Sequence, residues 1–127
     1  MSNTESIYKQ HEENTEWMNK LNFYKDEIRI MNGRLEEIAS KNSSKDALAD
    51  VERFQNQLII QRNNIDNISH EVKMNEEALI AEIKTNPIAV DHRKVENHNK
   101  EKDLVDSFEK NINNLRDDFN RFSAKWM

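Results

Sequence analysis

Residues 47–83 read ALADVERFQNQLIIQRNNIDNISHEVKMNEEALIAEI, and this stretch decides the fold. Steps of four and three through it meet a nearly unbroken apolar series, in which only Gln61 and Asn75 are polar. The series consists of Ala47, Val51, Phe54, Leu58, Gln61, Ile65, Ile68, Val72, Asn75 and Leu79. A heptad pattern kept over about five repeats without Gly or Pro predicts a long amphipathic helix that packs lengthwise against other helices.

The composition extends this prediction to the whole chain of 127 residues. Because the chain has one Gly and one Pro, turn signals are scarce, and we expect a single domain of long helices without β-hairpins. An apolar fraction of 35% with 34% charged residues suits a thin bundle, in which the core is narrow and most residues face water. Because there is no Cys, disulfides and thiolate sites are excluded.

Charge and hydropathy limit the classes of partner. The net charge is −5 and no Lys or Arg cluster stands clear of acidic neighbours, so we expect no nucleic-acid partner. No apolar run is long enough to cross a bilayer, and the start of the chain lacks a signal-peptide pattern. These features predict a cytoplasmic protein that does not bind membranes.

Two turn segments divide the chain into three predicted helices, which span about residues 4–40, 45–84 and 88–126. The first turn is polar throughout, and Ser43 or Ser44 is expected to cap the second helix. The second turn contains Pro87, and the third helix begins either there or near Asp91.

The three helices can be aligned because short turns make sequential neighbours antiparallel. In this register, the numbers of two facing residues on the first and second helices add up to about 86. The numbers of two facing residues on the second and third helices add up to about 172. The apolar seams agree in this register, from the layer of Ile38, Ala47 and Trp126 to the layer of Met18, Ile68 and Val105. The sequence therefore predicts an all-α fold, an elongated antiparallel three-helix bundle that runs up-down-up. The main rival is a compact four-helix globule in which the first helix breaks at Gly33.

One end of the predicted bundle is polar. His11 and His98 fall at one height with Asn75 between them, and Asn14 and Glu101 lie one layer nearer the middle. A hydrogen-bonded layer that fixes the helix register is the first interpretation, because the paired Glu-x-x-His motifs of bundle di-metal sites are missing. The alternative is a metal-binding or metal-dependent protein that uses His11, His98 and Glu101 to hold Zn²⁺ or iron. On the first interpretation we expect no cofactor.

Four apolar residues fall on the outer sides of the first two helices at a similar height: Phe23, Ile30, Ile59 and Ile60. Either the helices bury a wide stripe, or these residues form a contact surface. No phosphate-binding loop or recognisable nucleophile motif supports an enzyme. The sequence therefore favours a non-enzymatic bundle that acts through protein–protein interaction or self-association, with an unknown protein partner or as a homodimer.

Two resemblances accompany these inferences. The helical layout, with Trp17 in the first helix and Trp126 at the end of the third, resembles spectrin-type three-helix repeats. Trp17 with LNFYKDEI at 21–28, VERFQNQ at 51–57 and KWM at 125–127 is similar to the pattern of a family of small, all-helical bacterial proteins without assigned activity. This second resemblance spans most of the chain. It implies a bacterial cytoplasmic protein and carries no implication about chemistry.

Overall fold

The chain forms three long helices in a computed structural model that describes residues 3–85 and 92–126, with the backbone alone described at 3–7, 83, 85 and 92–97. The helices are α1 (Asn3–Lys41), α2 (Lys45–Thr85) and α3 (His92–Trp126). Both alternative starts of the third helix, Pro87 and Asp91, lie outside the described residues. The predicted all-α three-helix bundle is confirmed. At 1.5 Å per residue the helices are roughly 50–60 Å long.

Contacts between the helices fix their directions. Phe54 on α2 lies against Phe119 on α3, with ring centroids 5.6 Å apart, so residues near the start of α2 meet residues near the end of α3. Glu13 near the start of α1 lies 3.2 Å from His98 near the start of α3, measured between Oε2 and Nε2, so α1 and α3 run parallel. Both contacts lie within two residues of the register that the seams predict. The helix order is therefore up-down-up.

The core is a continuous apolar stripe along all three helices, and most of the predicted seam is buried in it. Three predicted members are only half-buried: Met18, Gln61 and Trp126. The rings of Phe54, Phe119 and Phe122 meet near the turn between α1 and α2, where centroid distances are 4.9–6.3 Å. We call this region the aromatic end.

Two polar side chains hold the turn at the aromatic end. The Ser44 side chain accepts a hydrogen bond from the Ala47 backbone N–H at 3.5 Å, so Ser44 is the cap of α2. The Asn42 side chain donates to the Ile38 carbonyl at 2.9 Å and to the Trp126 carbonyl at 3.2 Å. Asn42 thereby ties the ends of α1 and α3 together.

The rival four-helix arrangement is not adopted, because α1 continues through Gly33. This glycine lies on the exposed side of the helix, where a methyl group in place of hydrogen would meet no atom within 4 Å. None of the helices in the described ranges contains a segment long and apolar enough to span a bilayer.

Candidate functional site

Five polar side chains are buried together near the end of the bundle opposite the aromatic rings. Each is less than a tenth exposed, and we call this set the polar layer: Gln10, Asn14, Asn75, His98 and Glu101. Burying such groups costs free energy unless hydrogen bonds replace those lost to water. The partners of each group therefore decide what the layer can do.

His98 is the centre of the polar layer and contacts both other helices. Its Nδ1 accepts a hydrogen bond from the Asn75 side chain of α2 at 3.3 Å, and its Nε2 donates to the Glu13 carboxylate of α1 at 3.2 Å. These partners place the proton of the uncharged ring on Nε2. The ring also stacks on Trp17, with centroids 4.6 Å apart. His98 therefore links three helices through both ring nitrogens and one face.

His11 does not lie in the polar layer, and its predicted placement there is wrong. Its side chain is 54% exposed and pairs through Nδ1 with the Glu76 carboxylate of α2. The same carboxylate accepts a 2.7 Å hydrogen bond from Asn14. Asn75 therefore lies beside His98 as predicted, while His11 forms a separate link between α1 and α2.

Glu101 is the carboxyl group of the polar layer. It is 5% exposed, and its Oε2 has no hydrogen-bond partner among the described residues. Burial, and secondarily repulsion from Glu71, raise the pKa of this carboxyl to about 7, although a hydrogen bond from Asn75 opposes the shift. Glu101 therefore changes charge near neutral pH inside a packed interface.

The metal hypothesis gains no support from this geometry. The described residues contain no group of three or more His, Asp or Glu side chains that could hold a metal ion. Both nitrogens of His98 already have partners, and His11 lies outside the layer. Metal binding by His11, His98 and Glu101 would need these side chains to rearrange.

Sequence reasoning missed Glu13, Glu76 and the true position of Trp17. The N-terminal seam of α1 uses Gln10 and Trp17 beside Asn14 and Leu21, whereas the predicted seam used His11 and Met18. Both choices alternate steps of three and four, so the spacing alone does not separate them. The large apolar surface of an indole favours the buried choice, and Trp17 is only 5% exposed.

The four predicted contact residues all face water. Phe23 is 61% exposed, Ile30 and Ile59 are 58% exposed, and Ile60 is 56% exposed. They do not all point the same way, because Ile60 lines a cavity between α2 and α3 together with Leu115. Their role as an interaction surface stays a prediction.

A shallow groove runs between α2 and α3 and is lined by three successive cavities of about 270, 330 and 370 Å³. Neighbouring cavities share lining residues, Asn111 between the first two and Glu71 and Leu104 between the last two. The cavities therefore form one continuous surface, which we call the α2–α3 groove. It extends from Gln57 to Ala78 on α2 and from Lys100 to Asp118 on α3.

Comparisons with protein-family models, with curated proteins and with solved structures gave no match. The resemblances to spectrin-type repeats and to small bacterial helical proteins stay predictions. Function is therefore argued from the surface and the polar layer themselves.

Proposed function

We propose that this protein acts by association with a protein surface, including that of a second copy, and not by catalysis. The observation that carries the proposal is the set of large apolar side chains outside the core. Nine of the described residues in this set are between 40% and 61% exposed: Tyr8, Phe23, Ile30, Leu48, Ile59, Ile60, Met74, Ile80 and Leu104.

Their arrangement supports an interface more than their number does. Single exposed apolar residues are ordinary, whereas grouped ones indicate a contact surface. Phe23 and Ile30 are one heptad apart on the outer side of α1, and Ile60 and Met74 are two heptads apart along the α2–α3 groove. A chain with only 35% apolar residues thus leaves apolar rows on two outer faces.

The histidines offer no comparable support for catalysis. His98 has a partner at each ring nitrogen, and His11 pairs with Glu76. A general base needs a free nitrogen within reach of a substrate proton. In the described part of the chain these two imidazoles instead serve as links between helices.

Sedimentation over a concentration series tests the proposal directly. We expect the wild-type chain to change from monomer to dimer between low micromolar and near-millimolar concentration. Phe23→Glu combined with Ile30→Glu tests the α1 row, and Asn19→Glu, at an exposed polar position, is the matched control. A wild-type chain that stays monomeric at every concentration would contradict self-association.

A further inference from the structure

We infer that the α2–α3 groove docks a second copy of this chain, with the two copies antiparallel about a two-fold axis near the middle cavity. The inference rests on the proposed function and names the surface and the partner. An isologous contact requires that the groove be complementary to itself when reversed end to end. Three properties of the groove bear on that requirement: the scarcity of bonds between its two helices, the charge of its lining, and the order of residues along it.

The groove is the least bridged side of the bundle. Side chains of α1 are tied to α3 by Glu27 with Arg116 and by Tyr24 with Glu109, and to α2 by Lys25 with Asp66. Between 57 and 71 on α2, no side-chain hydrogen bond or ion pair crosses to α3 in the described part of the chain, whereas Asn75 at the end of the groove bonds to His98. The exposed polar groups in the middle of the groove are therefore available to a neighbouring molecule.

The middle of the groove is almost free of charge. Seven of the eight side chains that line the middle cavity are amides, a hydroxyl and apolar groups, and Glu71, where this cavity meets the next, is the charged one. In a chain with 34% charged residues such a strip is unusual, and interface centres are depleted in charge. A centre with a single charged side chain per copy also limits the repulsion between two copies with net charge −5.

The order of residues along the groove is compatible with antiparallel pairing of two copies. The middle cavity is lined by Asn64, Asn67, Ser107 and Asn111, whose side chains both donate and accept hydrogen bonds. These groups can therefore pair with their own copies at the axis. Ile60 lies in the cavity at one end and Met74 in the cavity at the other. Reversal brings apolar Ile60 against Met74 of the second copy.

The charged ends of the groove are complementary on α3. Lys100 lines the cavity at one end, and Asp118 lines the cavity at the other. Antiparallel pairing brings Lys100 close to Asp118 of the second copy, and the symmetry makes this contact twice. Asp118 also pairs with Arg121 of its own helix, so the ammonium group would join an existing ion pair.

The area of the groove lies at the lower limit of the area that specific protein–protein interfaces bury. The α2 segment from 57 to 78 is about 32 Å long, and two adjacent helices are about 20 Å wide. These dimensions give roughly 600 Å² per copy, against about 600–1,000 Å² per partner in specific interfaces. We therefore expect dissociation in the micromolar range.

Leu104→Glu is the first test, because Leu104 lines two of the three cavities and is 47% exposed. Sedimentation should show at least tenfold weaker dimerisation, while helicity and the melting temperature, measured at a concentration where the wild type is monomeric, should be unchanged. Asn19→Glu, at an exposed polar position of α1, is the control and should dimerise as the wild type does, and Phe23→Glu tests the rival α1 row. If dimers persist in Leu104→Glu and are lost in Phe23→Glu, the groove is the wrong surface and the proposed function stands. A monomeric wild type would overturn the docking of a second copy and leave association with a different protein as the proposed function.

A charge exchange tests the antiparallel arrangement. Lys100→Glu and Asp118→Lys should each weaken self-association, because each homodimer then brings like charges together. A mixture of the two variants should form heterodimers at near wild-type affinity, since each acidic position 100 faces a basic position 118. If the mixture associates no better than either variant alone, the copies are not paired in this way.

Discussion

At the scale of single residues, Glu101 gives the bundle a pH-dependent weakness. Its pKa is raised to about 7 by burial first and by Glu71 second. The folded state therefore binds a proton more tightly than the unfolded state does. The stabilisation from this carboxyl is complete below the unfolded-state value of about 4.5 and is lost as the pH rises through about 7. The groups around it are Glu71 and Asn75 on α2 and His98 one turn away on α3.

Glu101→Gln removes the titrating group while keeping its shape. We expect this variant to be more stable than wild type at pH 8, by up to roughly 3 kcal/mol, because an ionised carboxyl no longer has to be buried. At pH 5 the folded-state carboxyl is protonated while the unfolded-state carboxyl is mostly ionised, so the difference should fall below about 1 kcal/mol. Urea unfolding at both pH values measures it, and exposed Glu77→Gln is the control. An equal difference at both pH values would show that ionisation of Glu101 is not the cause.

At the scale of the helices, α1 contains one residue that lowers the stability of the helix. Gly33 is a helical residue on the exposed side, and the position has room for a methyl group. Gly33→Ala should raise the free energy of unfolding by about 1 kcal/mol, since alanine loses less backbone entropy in a helix. Chemical denaturation monitored by circular dichroism measures this change. No gain, or a loss, would mean that the exposed side of α1 near residue 33 is covered in solution.

The helices also show what the sequence could predict. Along α2 only one heptad series is strongly apolar, the series that contains Phe54, Leu58 and Ile65. The buried residues of α2 match the prediction made from that series. In the N-terminal part of α1, two neighbouring heptad series are similarly polar. The prediction took the series that contains His11, whereas the bundle buries the series that contains Gln10. The carboxylates of Glu13 and Glu76 were missed for a related reason. Residues on the flanks of a seam carry no periodic signal, and their partners depend on side-chain direction.

The same limit applies to the α2–α3 groove. Its lining residues, such as Asn64 and Asn111, look like ordinary exposed amides in the sequence. Only the packing of α2 beside α3 brings them together into one strip with little charge. Heptad spacing predicts which residues face inward, but it does not tell which outward sides of two helices lie next to each other.

At the scale of the whole molecule, the two ends of the bundle bury different kinds of side chain. The aromatic end packs Phe54, Phe119 and Phe122 together, and each buried ring contributes about 1.5–3 kcal/mol. The polar end instead buries amides and a carboxyl, and within the described ranges three of its acceptors have no hydrogen-bond partner: Gln10 Oε1, Asn14 Oδ1 and Glu101 Oε2. Such groups stabilise the folded state less than apolar ones or not at all.

This asymmetry predicts that the bundle opens from the polar end. Backbone amides in 8–18, 70–82 and 98–104 should exchange with solvent faster than those in 28–38, 47–58 and 112–122, because local opening there exposes less apolar surface. Hydrogen exchange should be followed at low micromolar concentration, so that docking of a second copy does not protect the groove. Glu101→Gln should slow exchange at the polar end at pH 8 and leave the aromatic end unchanged. Uniform exchange along all three helices would instead mean that the bundle opens as one cooperative unit, with its polar layer as firmly held as its aromatic core.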